Sequence, residues 1–282
     1  MARKSPGAKA KGLGAELRIL RQRAGMTLED AAKPVDLSKT ILSKLETGHR
    51  NIAFQEAVGL LALYGVVGEE RDRVLTLARS VDDPGWWEVG IPGMTRESAA
   101  LADYEAMATG IVSWAPLLMP GLLQTMDYAR AFLGIYGLPS HVIEARLTAR
   151  LRRQQTMWRP DVTYTAYVGE SALRTVVGGA TIMTAQLHAL LDAQRRSNIT
   201  VRVVPPGVGA HLGQLGAFLK LNFPAITSVV HVELLHSGVF HDEPALTDPY
   251  VKAVAQLAEV ALSATESTRM IATVAHEMEG QA

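Results

Sequence analysis

Residues 27–48 read TLEDAAKPVDLSKTILSKLETG, and their spacing predicts two short helices hinged at a tight turn. Thr27 stands where a hydroxyl can accept from an early backbone N–H, and Asp30 follows three residues later, an approximate capping box. Ala31 and Ala32 put small side chains where two helices must approach closely. The turn falls at Asp36, a position that wants left-handed backbone geometry, which Asp tolerates better than most residues. Ser38 caps the following helix, whose Ile41, Leu42 and Leu45 face inward. Upstream, Leu13, Leu17, Leu20 and Ala24 repeat at helical spacing up to Gly25, so a first amphipathic helix is expected over 13–24.

What this pattern leaves outward decides its use. Lys39 and Thr40 lie on the first turn of the capped helix, and Ser43 and Lys44 lie one turn on. In a major groove a lysine donates to guanine O6 and N7, and a threonine methyl meets a thymine methyl. Ser38 and the free N–H groups at the helix start would face phosphate, and Arg50 and Asn51, past Thr47-Gly48, are placed for the backbone as well. A solvated lysine face on a three-helix scaffold is the plainer alternative. Charge favours the first: the whole chain is neutral, yet residues 1–80 hold 14 Lys+Arg against 9 Asp+Glu, and residues 81–282 hold 14 against 19. The basic charge is confined to one end, where residues 1–12 (with Arg3, Lys4, Lys9 and Lys11) are expected to form a disordered basic arm.

Residues 13 to about 78 resemble the Cro/CI-type helix-turn-helix of the xenobiotic-response-element regulators. The resemblance implies a mainly α, five-helix, lambda-repressor-like domain over 13–80, with Phe54–Tyr64 and Glu69–Ala78 as its last two helices. It also implies a structural ion pair between Arg21 and Glu46, an operator of double-stranded DNA and a homodimer. Two residues depart from the family pattern. Pro34 must shorten or kink the second helix, and Leu28 replaces a polar residue that touches phosphate in many members.

Asp82-Asp83-Pro84-Gly85 and Ile91-Pro92-Gly93 bracket Trp86-Trp87 and place a linker at 81–93. From 94 to 282 the pattern is mixed. Helices are expected at about Arg96–Met107, from the cap Thr125 through Phe132, from the cap Ser140 to Met157, near 170–177 and 181–196, from Pro249 to Ser263, and from about Ser267. Strands are expected at 162–168, 199–204, 218–223 and 229–234, and Ile111–Leu118 is an apolar stretch. The expected class for this half is α+β with a small, mostly antiparallel sheet.

This half also resembles a domain of unknown function found in actinobacterial regulators, the WhiJ-like group. The matching residues are Tyr104-Glu105, Trp114, Pro120–Thr125, Tyr128-Ala129-Arg130, Arg150, Arg153-Gln154, Glu170, Leu173-Arg174, Gln186-Leu187, Pro205, Gly216, Phe218 and Glu233. The resemblance implies a DNA-binding regulator of development or secondary metabolism, paired in an antitoxin-like manner with a small partner protein encoded by a neighbouring gene.

Enzymatic chemistry finds little support. The chain has no cysteine, so disulfides, thiol nucleophiles and Cys-ligated zinc are excluded. His231, Glu233, His236, His241 and Asp242, with His211, crowd the sequence, but H-x-E without P-C-x-x-C is not a zinc deaminase, and HEXXH is absent. No G-x-S-x-G surrounds Ser113 or Ser171. The glycine-rich run 207–216 lies between two strand patterns without a following helix or a Gly-Lys-Ser/Thr, so it is expected to be a long hairpin loop, able to cover a ligand or partner segment. No cofactor and no metal are expected. Arg146, Arg150 and Arg153 share a helix face, and with His211 and Glu233 they are the candidates for a partner or small anion. No apolar run reaches 18 residues and no apolar leader follows the N-terminus, so a cytoplasmic protein off the membrane is expected. The expected function is a sequence-specific repressor or autoregulator, with an antitoxin-like interaction module or a ligand-sensing regulator as the alternatives.

Overall fold

The computed structural model describes residues 8–81, 95–224, 226–235 and 237–280. Most of the expected linker, including Trp86 and Trp87, lies outside these residues, as do Arg3, Lys4 and His236. The chain gathers into two units, one comprising residues up to 89 with Ala99–Met107 and Phe223–Ile226, the other comprising the remainder.

In the first unit, α1 (Ala8–Arg23), α2 (Leu28–Ala32), α3 (Lys39–Glu46), α4 (Phe54–Leu63) and α5 (Gly68–Ser80) enclose one core. Leu13, Leu17, Leu20, Leu42, Leu45, Leu60, Leu61 and Val74 are all buried in it. Helix α1 starts at Ala8, five residues before the leucine repeat, so Lys9 and Lys11 of the expected arm stand on a helix; residues 1–7 lie outside the described residues. Pro34 acts as anticipated: α2 stops at Ala32 and a 3-10 turn, Lys33–Val35, takes over with the proline in its first positions.

Helix α6 (Arg96–Met107) precedes the sheet of the second unit. Among the described residues this sheet has six strands: β1 (Gly110–Ala115), β2 (Thr163–Gly169), β3 (Ile199–Val204), β4 (Phe218–Asn222), β5 (Val229–Glu233) and β6 (Gly238–His241), in the order β3-β2-β1-β4-β5-β6. It is mixed. The β1–β2 and β2–β3 pairs are parallel, and the β1–β4, β4–β5 and β5–β6 pairs are antiparallel. The parallel pairs need crossovers, supplied by α7 (Met126–Gly134) with α8 (Ser140–Gln154), and by α9 (Glu170–Arg174) with α10 (Ala180–Ala193). Two helices close the chain, α11 (Pro244–Val260) and α12 (Ala264–Glu279).

One sheet face, with Trp114, Tyr167, Val204, Phe218 and Val230, packs on Ala253, Leu257 and Ala261 at α11. On the outer edge of β3, Leu262 N–H donates to Val203 O and Ser267 Oγ accepts from Val203 N–H, both at 2.9 Å. The α11–α12 turn thereby closes an edge that would otherwise be open to pairing. Three boundaries differ from expectation. Ser140 sits inside the first turn of α8 behind Pro139. Helix α11 begins at Pro244 and carries Pro249 within it. Ser263, with Glu266, forms the capping box of α12. The glycine-rich run is no hairpin: β3 and β4 are separated by β2 and β1, so it spans strand ends instead of joining neighbours.

Candidate nucleic-acid interface

Helix α3 is set by its ends and its floor. Asp36 takes the left-handed conformation (φ 55°), the single non-glycine residue at positive φ among the described residues. The chain is thereby turned so that Ser38 Oγ accepts from Ile41 N–H at 3.2 Å. The preceding helix has the reciprocal box, with Thr27 Oγ1 accepting from Asp30 N–H and the Asp30 carboxylate accepting from Thr27 N–H; the Thr27 hydroxyl, which also donates to that carboxylate at 2.6 Å, and then the Thr27 N–H hold the Asp30 carboxyl below its usual pKa. Beneath α3, Arg21 Nε donates to Glu46 Oε1 at 2.6 Å and Arg21 Nη2 to Glu46 Oε2 at 2.9 Å, while Nη1 donates to Met26 O at 2.6 Å. Both side chains are buried. The hydrogen bond to Glu46 holds the guanidinium above its usual pKa against the opposing effect of burial. The fork therefore ties α1 to the last turn of α3 and to the α1–α2 connection at once.

Gly14 completes the brace. A Cβ there would lie 2.1 Å from Leu45 O, so the bare backbone of α1 is what lets the two helices meet. The leucine repeat of α1 gives no sign of this requirement, although a glycine inside a helix costs about 1 kcal/mol and is itself a signal of close approach.

Outward, Ser38, Lys39, Thr40, Lys44, Arg50 and Asn51 are exposed and Ser43 is half-buried. The side chains of Lys39, Thr40 and Lys44 have no hydrogen bond or ion pair among the described residues. Arg50 is engaged, donating to Glu56 Oε1 at 2.9 Å, and the other oxygen of that carboxylate accepts from Ala53 N–H at the start of α4. Thr47 donates to Ser43 O at 2.7 Å. The result is a rigidly seated helix that shows two unneutralised ammonium groups and a threonine on one side. That is the chemistry of a groove reader, with the cost of ordering the helix already met by the fold.

The candidates in the second unit do not form a single site. Arg146, Arg150 and Arg153 are half-buried and each has a partner; Arg150 donates to Gln124 Oε1. Much of the motif around them forms an internal network. Gln124 Nε2 donates to Met119 O at 2.8 Å, Gln154 Nε2 to Gln124 O at 2.7 Å, and Gln186 bridges Thr125 N–H and Leu123 O at 2.7 and 2.8 Å. Tyr128 Oη accepts from Met119 N–H. These glutamines satisfy backbone groups of the β1–α7 connection, which is buried at Met119-Pro120 and Leu122–Gln124 and whose regular structure is the short 3-10 turn Gly121–Leu123.

His211 lies on the other side of the sheet from Arg153. Its ring stands edge-on to Trp114 at 5.8 Å, under the glycine-rich connection, where Trp114 Nε1 donates to Gly213 O at 2.7 Å. His231 points to the opposite face, against Phe240. Burial pushes it down to about 4, with Arg153 adding to the shift and Glu97 opposing it. His241 pairs with Val230 and so faces away from His231, stacking on Tyr250. Glu233 is exposed at the end of β5. The histidines that crowd the sequence are thus divided between two faces. Among the described residues no group of three His, Cys, Asp or Glu could hold a metal ion, and no helix is long and apolar enough to cross a membrane.

Comparison with known families matches residues 12–74 to a helix-turn-helix domain and residues 98–273 to a domain of unknown function (DUF5753). No curated protein and no solved structure matches the chain. The helix-turn-helix match runs from within α1, through α2 to α4, into α5, and supports a DNA-binding regulator.

Proposed function

Because the chain belongs to the family defined by the domain of unknown function DUF5753 and carries a helix-turn-helix domain ahead of it, we propose that it is a cytoplasmic, non-enzymatic transcriptional repressor and autoregulator of the WhiJ-like kind. Its N-terminal unit reads an operator as a homodimer, with Lys39, Thr40, Ser43 and Lys44 at the base edges and Ser38, Arg50 and Asn51 at the backbone. A small partner protein encoded by a neighbouring gene acts through the C-terminal unit to change that binding. The observation that carries the proposal is the unpaired Lys39–Thr40–Lys44 side of a helix braced by Arg21 and Glu46.

Footprinting on the DNA upstream of its own gene tests it. The expected result is two protected half-sites about one helical turn apart, with the neighbouring gene's product shifting the affinity. A single protected half-site contradicts the dimer, and no protection contradicts the operator.

A ligand-sensing C-terminal unit is the second reading. It is favoured by His211 Nδ1, which is buried without a hydrogen-bond partner among the described residues, under the glycine-rich connection. Its test is a thermal-shift screen of the full chain against metabolites, in which a ligand raises the melting temperature of the native protein and not of His211→Ala. A screen that moves neither protein contradicts it.

A further inference from the structure

The outer side of α8 ends in an exposed apolar ridge. Glu144, Thr148, Leu151, Gln155 and Trp158 recur at spacings of four and three, all exposed, in one stripe that runs through α8 into the 3-10 turn Gln155–Trp158. Leu151 is 53% and Trp158 56% exposed. The half-buried Arg146, Arg150 and Arg153 lie on the opposite side of the helix. We infer that Leu151, Trp158 and Arg196 form the surface on which the small partner protein docks, and that the segment seated there is acidic with an apolar anchor. The inference rests on the proposed partner reading and names the surface and the chemistry of its occupant.

Three observations lead there. The first is preorganisation. Asn198 Nδ2 donates to Met157 O, Arg159 O and Val162 O, at 3.0, 3.2 and 2.8 Å, so the turn that presents Trp158 is fixed from the residue before β3. The Arg196 guanidinium lies over the indole, its carbon 4.2 Å from the ring centroid. A large aromatic held in place before contact loses little conformational freedom on binding, and tryptophan and arginine dominate binding hot spots.

The second is an unmet donor. Among the described residues Arg196 Nε is buried without a hydrogen-bond partner, Nη2 reaches Trp158 O at 3.5 Å, and no carboxylate pairs with the guanidinium. A half-buried cation in this state gains from a carboxylate that a partner brings.

The third is local charge. Around the ridge Arg152, Arg159, Arg195 and Arg196 stand against Asp161 and Asp192, in a half of the chain that is acidic as a whole. Both aspartates are engaged, Asp161 by Arg159 and Asp192 by Arg195. The surroundings of Trp158 are therefore a positive island that attracts an acidic segment. A DNA duplex offers charge but nothing apolar to Leu151 along its phosphate walls.

The test is calorimetric titration of the full chain with the purified product of the neighbouring gene, at roughly 50 and 200 mM salt. Native binding is expected to weaken as salt rises. Trp158→Ala is expected to weaken it about thirtyfold, and Leu151→Ser, a change on an exposed helix face, about fivefold. Arg196→Gln is expected to weaken it about tenfold at the lower salt and to flatten the salt dependence. Lys252→Gln, an exposed cation on α11, is expected to change neither.

Native affinity in either Trp158→Ala or Leu151→Ser overturns this surface and leaves the partner reading standing. Native binding indifferent to salt overturns the acidic occupant. An equal loss in Lys252→Gln overturns it too, because net charge alone then explains the effect. Weaker duplex binding by Trp158→Ala, or a smaller oligomer of that variant on its own, overturns the proposal and reassigns the ridge to DNA or to a second copy. Absence of a complex with the native chain removes the partner reading, and this surface with it.

Discussion

Replacing Glu46 by alanine should unseat α3 more than any other single change on that helix. The substitution removes both acceptors of the Arg21 fork and leaves a guanidinium with 8% side-chain exposure holding one remaining bond, to Met26 O. Stranding a buried charge in this way costs about 3–5 kcal/mol. At 1.4 kcal/mol per factor of ten, protection of the core amides of α1 and α3 should fall by about two to three and a half powers of ten. The exposed pair between Arg73 and Glu16, whose guanidinium is 58% exposed, is the internal comparison. Glu16→Ala should cost about 0.5 kcal/mol.

The assay is hydrogen exchange followed peptide by peptide, because α1 to α5 contain no tryptophan and a fluorescence change would not be localised to them. A double variant, Arg21→Met with Glu46→Leu, should recover protection to within about 1 kcal/mol of native, since the cost lies in the stranded charge. A fall of less than tenfold in Glu46→Ala, or a double variant as labile as the single one, would refute the reasoning.

Other expectations follow from particular contacts. Gly14→Ala should destabilise the first unit by about 1–3 kcal/mol despite alanine's better helix propensity, because the new methyl meets the Leu45 carbonyl; a thermal melt that rises refutes this. Tyr64 Oη is buried without a hydrogen-bond partner among the described residues, so Tyr64→Phe should stabilise by about 1 kcal/mol in the same melt, and destabilisation would show that the hydroxyl is satisfied. His231 stays neutral in the fold down to about pH 4, while an unfolded histidine takes up its proton near 6.5. Acid therefore favours unfolding: this contribution is fully present above about pH 6.5, declines as pH falls, and has lost on the order of 3 kcal/mol by about pH 4. Urea midpoints measured across that window should fall less steeply in His231→Gln, and parallel curves count against it. Trp114→Phe strands the Gly213 carbonyl, so exchange across residues 207–216 should quicken by about one to two powers of ten; unchanged exchange means that another contact holds the connection.

The two halves of the chain differ in how far they can be read without coordinates. Caps and turns are local, and so Thr27, Asp36, Ser38 and the shortening at Pro34 are legible in residues 27–47 and recur in the structure. The Arg21–Glu46 pair is implied by the family resemblance and not by local pattern, since the two residues are 25 apart in sequence and meet only through the packing of α1 on α3. Strands β2, β3 and β5 are legible as runs rich in β-branched residues, and β4 as the apolar run 218–223 bounded by Phe218 and Phe223. Strand β1 shows in the sequence as no more than the apolar stretch Ile111–Leu118, because it is largely buried on both faces and shows no alternation.

Once β1 enters the middle of the sheet, the parallel half and the true course of the glycine-rich connection follow, since strand order depends on pairings between residues far apart in sequence. Histidine spacing misled for a related reason. Period-two alternation puts His231 and His241 on opposite faces only once the register of β5 with β6 is known.

The central claim is that α3 reads duplex DNA through Lys39 and Lys44. Its most direct test is the salt dependence of duplex binding by the full chain, native against Lys39→Ala with Lys44→Ala. The account predicts a steep native slope and weakened, sequence-indifferent binding in the double variant, with any share of the two lysines in phosphate neutralisation lowering the slope by up to about 1.8. Native affinity, slope and sequence preference retained in the double variant would contradict it.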